Sequence, residues 1–200
     1  MELYTKTFLL ILILINPFLM MIYLLDLYQE LDRKAFFLII SKAILISTII
    51  FISFGFFGDL IFESVLQTRF ASFQIFGGII FLFIAVQFVF QGDKVLRNLR
   101  GDKKSYVGSI VMPIMVGPGT VSASIIAGER HGGFIGGSAI VLAMVISFLI
   151  LILLKMIFEK FNKKNEKLME HYIDITGRIS SLVIGTFSIE MIMQGIKKWH

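Results

Sequence analysis

The chain contains no cysteine, only three prolines and few charged residues, which make up 16% of its 200 residues. Without cysteine, disulfides and thiolate metal sites are excluded. The three histidines, His131, His171 and His200, lack the spacing of a metal-ligand set, so neither a metal nor a cofactor is expected. A soluble domain carries roughly a quarter charged residues, so the low charge argues against a water-soluble fold.

Long apolar segments make up much of the chain. Hydrophobic residues make up 56% of the chain and the mean hydropathy is +0.86. Several runs reach or approach the ~18 to 20 residues that cross a bilayer as a helix. We therefore predict an all-α, polytopic membrane protein that forms a single transmembrane domain over residues 1–200. The six predicted spans cover roughly 5–26, 35–58, 70–91, 106–127, 134–158 and 175–196.

The distribution of Lys and Arg predicts the orientation. Basic residues are in excess in the connections 27–34, 92–105 and 159–174, which places these connections in the cytoplasm and both termini outside. The predicted spans are surrounded by lipid. Lys42 and Lys155 lie near predicted cytoplasmic helix ends and are expected to extend to the interface. The net charge of +5 reports topology, and no basic, aromatic-interleaved segment indicates a nucleic-acid partner.

All three prolines lie at two breaks in predicted helices. The first span contains Asn16-Pro17, a helix-capping residue before a helix-starting one. The fourth contains Pro113 and then Gly117-Pro118-Gly119, which cannot continue an α-helix. Inside a bilayer, irregular backbone persists only where protein or a water-filled cavity surrounds it. The two breaks therefore predict an interior site.

An internal repeat relates the two halves. Residues 77–92 align with residues 180–195 at an offset of 103, and the breaks recur at an offset of 101. Repeat one covers 1–100 and repeat two covers 101–200. Each half has three predicted spans, and because three is odd the two halves must be inverted across the membrane. About 11 helical residues, or roughly 16 Å, precede each break, which places both near the middle of a ~30 Å hydrocarbon layer.

Discontinuous helices in inverted repeats are typical of the substrate site of a secondary transporter. A helix that restarts inside the membrane presents unpaired N–H groups and the positive end of its dipole, which suit a carboxylate. The alternative is that these residues only kink their helices. The predicted substrate-binding residues are Asn16, Pro17, Gly117, Pro118, Gly119 and Thr120.

Two further polar residues are candidates for ion coupling. Glu190 is the only carboxylate well inside a predicted span, so it is a candidate proton carrier; alternatively, it reaches the outer interface near Lys197. Gln87 aligns with Glu190 in the repeat and either takes part in coupling or bridges helices. The sequence decides neither between a coupling proton and Na⁺ nor between a monomer and a homo-oligomer. Gly128, with further glycines at four-residue spacing, predicts close helix packing.

The same residues resemble the MarC family. Asn16-Pro17, Gly77-Gly78 and above all the block 112–120 carry the likeness. The resemblance implies a six-helix protein of the inner membrane of a prokaryote, with broken first and fourth helices, that transports glycine- and alanine-like amino acids. It also implies that Asn16 and Thr120 contact the substrate. The chain departs from the family pattern at Phe18, where members usually have Gly.

The sequence and the resemblance together predict a secondary transporter of small neutral amino acids that works by alternating access, and not an enzyme. One alternative is an exporter or channel for another small polar solute. A less favoured one is an intramembrane enzyme, which would need an activated nucleophile. Serines are plentiful, but no His or Lys lies at membrane depth to activate one.

Overall fold

The structure, a computed structural model, describes residues 2–24, 27–28, 31–65, 67–91, 107–108, 111, 115–161 and 166–199. All regular elements within these residues are helices, in agreement with the predicted all-α class. Seven α-helices are described, with a π-turn, Ile61–Val65, after the third. The α-helices are α1 Glu2–Ile15, α2 Pro17–Tyr23, α3 Arg33–Leu60, α4 Phe70–Gln91, α5 Pro118–His131, α6 Gly133–Phe161 and α7 Glu166–Trp199.

Four of these helices are long and apolar enough to cross a membrane. They belong to α3, α4, α6 and α7 and cover Arg33–Gly58, Phe70–Gln87, Gly133–Lys160 and Arg178–Trp199. The first predicted span is absent from this set because it is broken at Asn16, and the fourth lies partly outside the described residues. The helices α1, α2 and α5 have 14, 7 and 14 residues, fewer than the ~20 that span a bilayer. The chain is thus polytopic, and a total of six spans stays a prediction.

The break at Asn16 follows from the proline after it. Pro17 has no N–H, so the Ile13 carbonyl loses its usual helical donor, and the ring disfavours helical geometry at the preceding residue. Asn16 has a φ of 43°, in the left-handed region that Asn tolerates better than most residues. An N-cap normally has extended backbone, so the prediction of an ordinary N-cap at Asn16 is wrong. The break is a single left-handed residue between α1 and α2.

The second break falls partly on residues that the structure does not describe. Pro113 and most of the residues between 92 and 114 lie outside the described set, so the first half of the fourth predicted span stays a prediction. The second half is α5. It begins at Pro118 after an extended Gly117 with φ −109° and ψ 169°, which places proline at the first helical position, where it is favoured.

The helices α4 and α7 pack against each other in opposite directions. Gly195, near the end of α7, lies against Ala71 and Ile75 near the start of α4, while Gly185 lies against Ala85. Arg69 donates to the Trp199 carbonyl at 2.8 Å, and Lys198 lies 3.9 Å from Glu129 of α5. The end of the molecule marked by these contacts is called the Lys198 end below. The buried residues of the large hydrophobic core come mainly from α1, α2, α3, α5 and α6, and Phe70, Phe73 and Ile84 of α4 pack against them.

Small residues let α5 pack tightly into that core, as the sequence predicts. A Cβ at Gly128 would lie 1.8 Å from the Gly55 carbonyl oxygen of α3, and one at Gly136 would lie 2.4 Å from the Ala127 carbonyl oxygen. A single residue, Gly132, connects α5 to α6. Its φ of 74° is readily adopted only by glycine. The helices α5 and α6 therefore form a tight antiparallel hairpin.

The opposite end of the molecule is organised by Lys155, whose predicted extension to the interface is wrong. Its side chain is only 3% exposed. The Nζ donates to the carbonyl oxygens of Tyr28 and Leu31 at 2.5 and 2.9 Å and lies 3.2 Å from Glu159, which also pairs with Arg33. These two carbonyls lie just before α3, which begins at Arg33, and the buried ammonium donates to both. This end is called the Lys155 end.

Gly128→Ala is expected to lower the melting temperature of the purified protein by several degrees, because the added methyl group would overlap the Gly55 carbonyl and overpacking costs about 1–3 kcal/mol. Gly137→Ala is the matched control, since its Cβ would lie 3.5 Å from Phe56, an ordinary contact. Thermal unfolding in detergent measures both. Equal melting temperatures would contradict the tight α3–α5 contact.

Lys155→Met keeps much of the side-chain shape but removes the donor to two buried carbonyls and one of the two cations that pair with Glu159. Each unsatisfied buried group costs about 1–3 kcal/mol, so a clear loss of thermal stability is expected. Lys42→Met is the control, because Lys42 is exposed and surface substitutions usually change stability by less than ~0.5 kcal/mol. A Lys155→Met protein as stable as the Lys42→Met protein would show that the buried ammonium contributes little.

Candidate functional site

The first helix break opens onto a cleft of about 340 Å³ between α1, α2, α6 and α7. This volume lies within the range of small-molecule sites, ~300–1,000 Å³. The described lining is mostly apolar, and its polar side chains are Asn16, Thr176 and Ser180. None of the lining residues is charged. The remaining lining residues are Leu12, Ile13, Pro17, Phe18, Ile150, Ile179 and Val183.

Asn16 is tied to the last helix. Its Nδ2 donates to Ser180 Oγ at 3.0 Å, which holds the break against α7. The Ile13 carbonyl, which Pro17 deprives of its helical donor, belongs to a residue that lines the same cleft. The break therefore places one amide, hydroxyl groups and backbone polar groups beside an otherwise apolar space, a combination that fixes the orientation of a small polar ligand.

Thr176 and Ser180 were not among the residues predicted from the sequence. They lie four residues apart on α7 and so share one helix face. A signal for Ser180 was present, because it aligns with Gly77 in the predicted repeat. That alignment was interpreted only as small residues facing small residues, and the partner of Asn16 was therefore missed.

The second break is closed by its own threonine. Thr120 is 1% exposed, and its Oγ1 accepts from the Gly117 N–H at 3.0 Å. The same hydroxyl lies 2.8 Å from the Met115 carbonyl oxygen and 2.9 Å from that of Gly117, to either of which it can donate. One side chain thus satisfies a backbone donor and an acceptor at a place where no helix provides partners. In this conformation Thr120 supports the break.

Glycines bring α4 into direct contact with the second break. A Cβ at Gly77 would lie 2.1 Å from Pro118, and one at Gly119 would lie 2.2 Å from the Phe81 ring. In this conformation the space beside Gly119 is filled by Phe81 of α4. Residues 117–120 are not among the described residues that line the cleft at Asn16. Met191 lies beside Gly77, and from Met191 to Ser180 the helix α7 extends roughly 16 Å.

The two breaks contact the α4–α7 pair in a corresponding way. Asn16 bonds Ser180 of α7, and Pro118 packs on Gly77 of α4. The predicted repeat aligns Asn16-Pro17 with Gly117-Pro118 and Ser180 with Gly77. Each break therefore lies against the last helix of the opposite half. When the repeat alignment is applied to one of these contacts, it gives the approximate position of the other.

The two candidate coupling residues lie on the two helices of the α4–α7 pair. Glu190 is exposed on α7 and accepts a hydrogen bond from Gln194 Nε2 at 2.8 Å. Gln87 is half-buried on α4. Neither lines the cleft at Asn16, so this conformation provides no direct contact between them and the cleft.

The chain is similar to known membrane proteins over its full length. A family model described as MarC family integral membrane protein matches residues 1–200. The chain is similar to a UPF0056 membrane protein of Buchnera aphidicola subsp. Schizaphis graminum, with 24% identity over 99% of this chain and 97% of the relative. It is also similar to UPF0056 membrane protein BU449 of Buchnera aphidicola subsp. Acyrthosiphon pisum, with 21% identity over 99% and 97%. No solved structure matches.

Thr120→Ala removes the hydroxyl that caps α5, and the expected cost is about 1 kcal/mol, seen as a lower melting temperature in detergent. Thr120→Ser keeps the hydroxyl and should retain most of the stability. If the alanine and serine variants had the same melting temperature, the stability of the break would not depend on this hydroxyl.

Proposed function

The chain belongs to the MarC family of integral membrane proteins, and we propose that it is a secondary transporter of small neutral amino acids such as glycine and alanine. The proposal places it in a bacterial inner membrane with both termini outside. Substrate is bound at the helix breaks and passes by alternating access, with no chemical conversion.

One observation carries this proposal. The cleft at the first break offers the amide of Asn16 and the hydroxyls of Thr176 and Ser180, and no charged side chain is among its described lining residues. A ligand with net charge would need an opposite charge to compensate for its desolvation. A zwitterion has no net charge and can be held by dipoles and hydrogen bonds. The cleft therefore favours small polar, neutral substrates.

The second break supplies the group that suits a carboxylate. The helix α5 has 14 residues and therefore a full dipole, and in any helix the first N–H groups have no intrahelical acceptor. Here these are the N–H groups of Gly119 and Thr120, since Pro118 has none. The helix α2, with 7 residues, has a much weaker dipole, so at the first break the side chains contribute more.

The arrangement of helices supports alternating access. The α4–α7 pair contacts both breaks, whereas the buried residues of the main hydrophobic core come mainly from the other five helices. Movement of this pair against the core would change both breaks together. The antiparallel packing of α4 and α7, with the matched contacts at Ser180 and Gly77, also supports the inverted repeat. Such repeats rock around a central site in many transporters.

Coupling to a proton or Na⁺ is part of the proposal. Glu190, with the side-chain amide of Gln194 bonded to it, is the candidate proton carrier on α7, and Gln87 is its counterpart on α4. Both are on the pair of helices that is proposed to move. Because neither residue lines the Asn16 cleft, coupling would act through movement of the pair, without direct contact with substrate in that cleft.

The test is counterflow of labelled glycine and alanine into proteoliposomes. Asn16→Ala and Ser180→Ala should each lower the initial rate by about tenfold or more, since each removes one polar contact of ~1–2 kcal/mol and the bond that holds the break. Thr186→Val is the control, because Thr186 is exposed on the same helix and bonds only its own backbone at Leu182 among the described contacts.

Each other outcome of this assay has a stated meaning. Saturable counterflow that both variants retain would remove the cleft at Asn16 from the mechanism. Flux that neither saturates nor shows counterflow would replace the transporter with a channel. No flux of neutral amino acids, with flux of another small solute, would overturn the assigned substrate class.

A further inference from the structure

Buried oxygens without partners point to a second set of ligand contacts. Among the described residues, the side-chain oxygens Gln74 Oε1, Ser122 Oγ and Ser147 Oγ are buried and have no hydrogen-bond partner. Gln74 is 1% exposed and Ser122 is 2% exposed. In a protein interior such groups are rare because each costs about 1–3 kcal/mol. Gln74 is on α4 and Ser122 is on α5, the two helices that meet at the second break.

The directions of the helices place these two residues at one level. Gly77 of α4 contacts Pro118 of α5 and Met191 of α7. The helix α4 begins at Phe70, at the Lys198 end of the molecule. The helices α5 and α7 finish at this same end, where Glu129 of α5 lies near Lys198 of α7. The helix α4 is thus antiparallel to the other two. Gln74 lies about one turn from Gly77 toward this end, and Ser122 lies about one turn from Pro118 in the same direction.

Helical periodicity places both residues on the faces that meet. At ~100° per residue, Ser122 is on the same face of α5 as Pro118, which contacts α4, and Glu129, which contacts α7. On α4, Gln74 lies between the face of Gly77, toward α5, and the face of Gly78, whose contacts are with α7. Gln74 and Ser122 therefore both belong to the junction of α4, α5 and α7.

We propose that Gln74 and Ser122 form, at the second break, a subsite for the ammonium group of the transported amino acid that is separate from the cleft at Asn16. An unpartnered carbonyl oxygen and a hydroxyl oxygen are acceptors, and an ammonium carries three donors. The N–H groups of Gly119 and Thr120 at the start of α5, about one turn away, take the carboxylate. The junction thus distinguishes the two ends of a zwitterion.

The subsite is closed in this conformation. The Phe81 ring lies against Gly119, between α4 and the start of α5, so substrate enters when the α4–α7 pair moves. This inference rests on the proposed function, because it assigns residues for the substrate of that transporter. It also explains why two costly oxygens are kept inside the membrane: the ligand compensates for them when it binds.

If these oxygens had only a structural role, replacing them would lower the thermal stability of the protein. Replacing an unsatisfied buried polar group by an apolar one of similar shape is neutral or stabilising. Gln74→Leu and Ser122→Ala should therefore melt at or above the temperature of the unchanged protein in the absence of amino acid. The defect of both variants should appear only in ligand binding, as weaker recognition of the ammonium group.

The experiment measures binding of glycine and of acetate, which lacks the ammonium, to the purified full chain by calorimetry. The unchanged protein should prefer glycine by about tenfold or more. In Gln74→Leu and in Ser122→Ala this preference should fall at least about fivefold, while acetate binding stays the same. Ser53→Ala is the control, since Ser53 is exposed and its hydroxyl bonds the Ile49 carbonyl at 2.8 Å.

The outcomes separate this inference from the proposed function. Absence of glycine and alanine binding to the unchanged protein would overturn the proposed function and the subsite together. Normal binding with an undiminished glycine preference in both variants would overturn only the subsite. If Gln74→Leu fails to fold, Ser122→Ala decides alone, because removing one hydroxyl leaves the packing of the helices nearly unchanged.

Discussion

The structure depends on one constraint, which is that a membrane helix cannot be interrupted unless the protein itself satisfies the backbone groups that the interruption frees. The two breaks meet this constraint differently. At the second, the single hydroxyl of Thr120 bonds backbone groups on both sides of the break. At the first, a left-handed Asn16 keeps the chain nearly helical and anchors it to Ser180. The first break leaves polar groups facing a cleft, while the second is closed.

This difference explains why the α4–α7 pair is central to the molecule. It is packed on itself through glycines and stands outside the main hydrophobic core, yet it is the surface on which both breaks rest. The remaining helices are held at the Lys155 end by a buried ammonium that joins α6 to the segment after α2. At the Lys198 end they are joined by Thr7 and His131, whose side chains are 3.0 Å apart. The pair is nevertheless joined to these helices, since Phe70, Phe73 and Ile84 of α4 pack against the core.

Much of the fold could be predicted from the sequence, because the signals were local. Long apolar runs gave the membrane class, and Asn16-Pro17 and Gly117-Pro118-Gly119 gave the positions of both breaks, since proline acts on its own helix. The packing role of Gly128 was also predictable, because the four-residue spacing of its glycines is visible in the local sequence. The rest depended on which helices become neighbours. The burial of Lys155 by Tyr28 and Phe36, the bond from Asn16 to Ser180 and the unpartnered Gln74 all arise from contacts between residues far apart in the chain. Periodicity does not report such contacts.

The one-residue turn at Gly132 has a consequence for how displacements pass through the molecule. With only Gly132 between His131 and Gly133, there is no slack chain between α5 and α6. The start of α5 forms the second break, and the far end of α6 carries Lys155. Because the two helices are joined so closely, α5 cannot be displaced at this turn without displacing α6 as well.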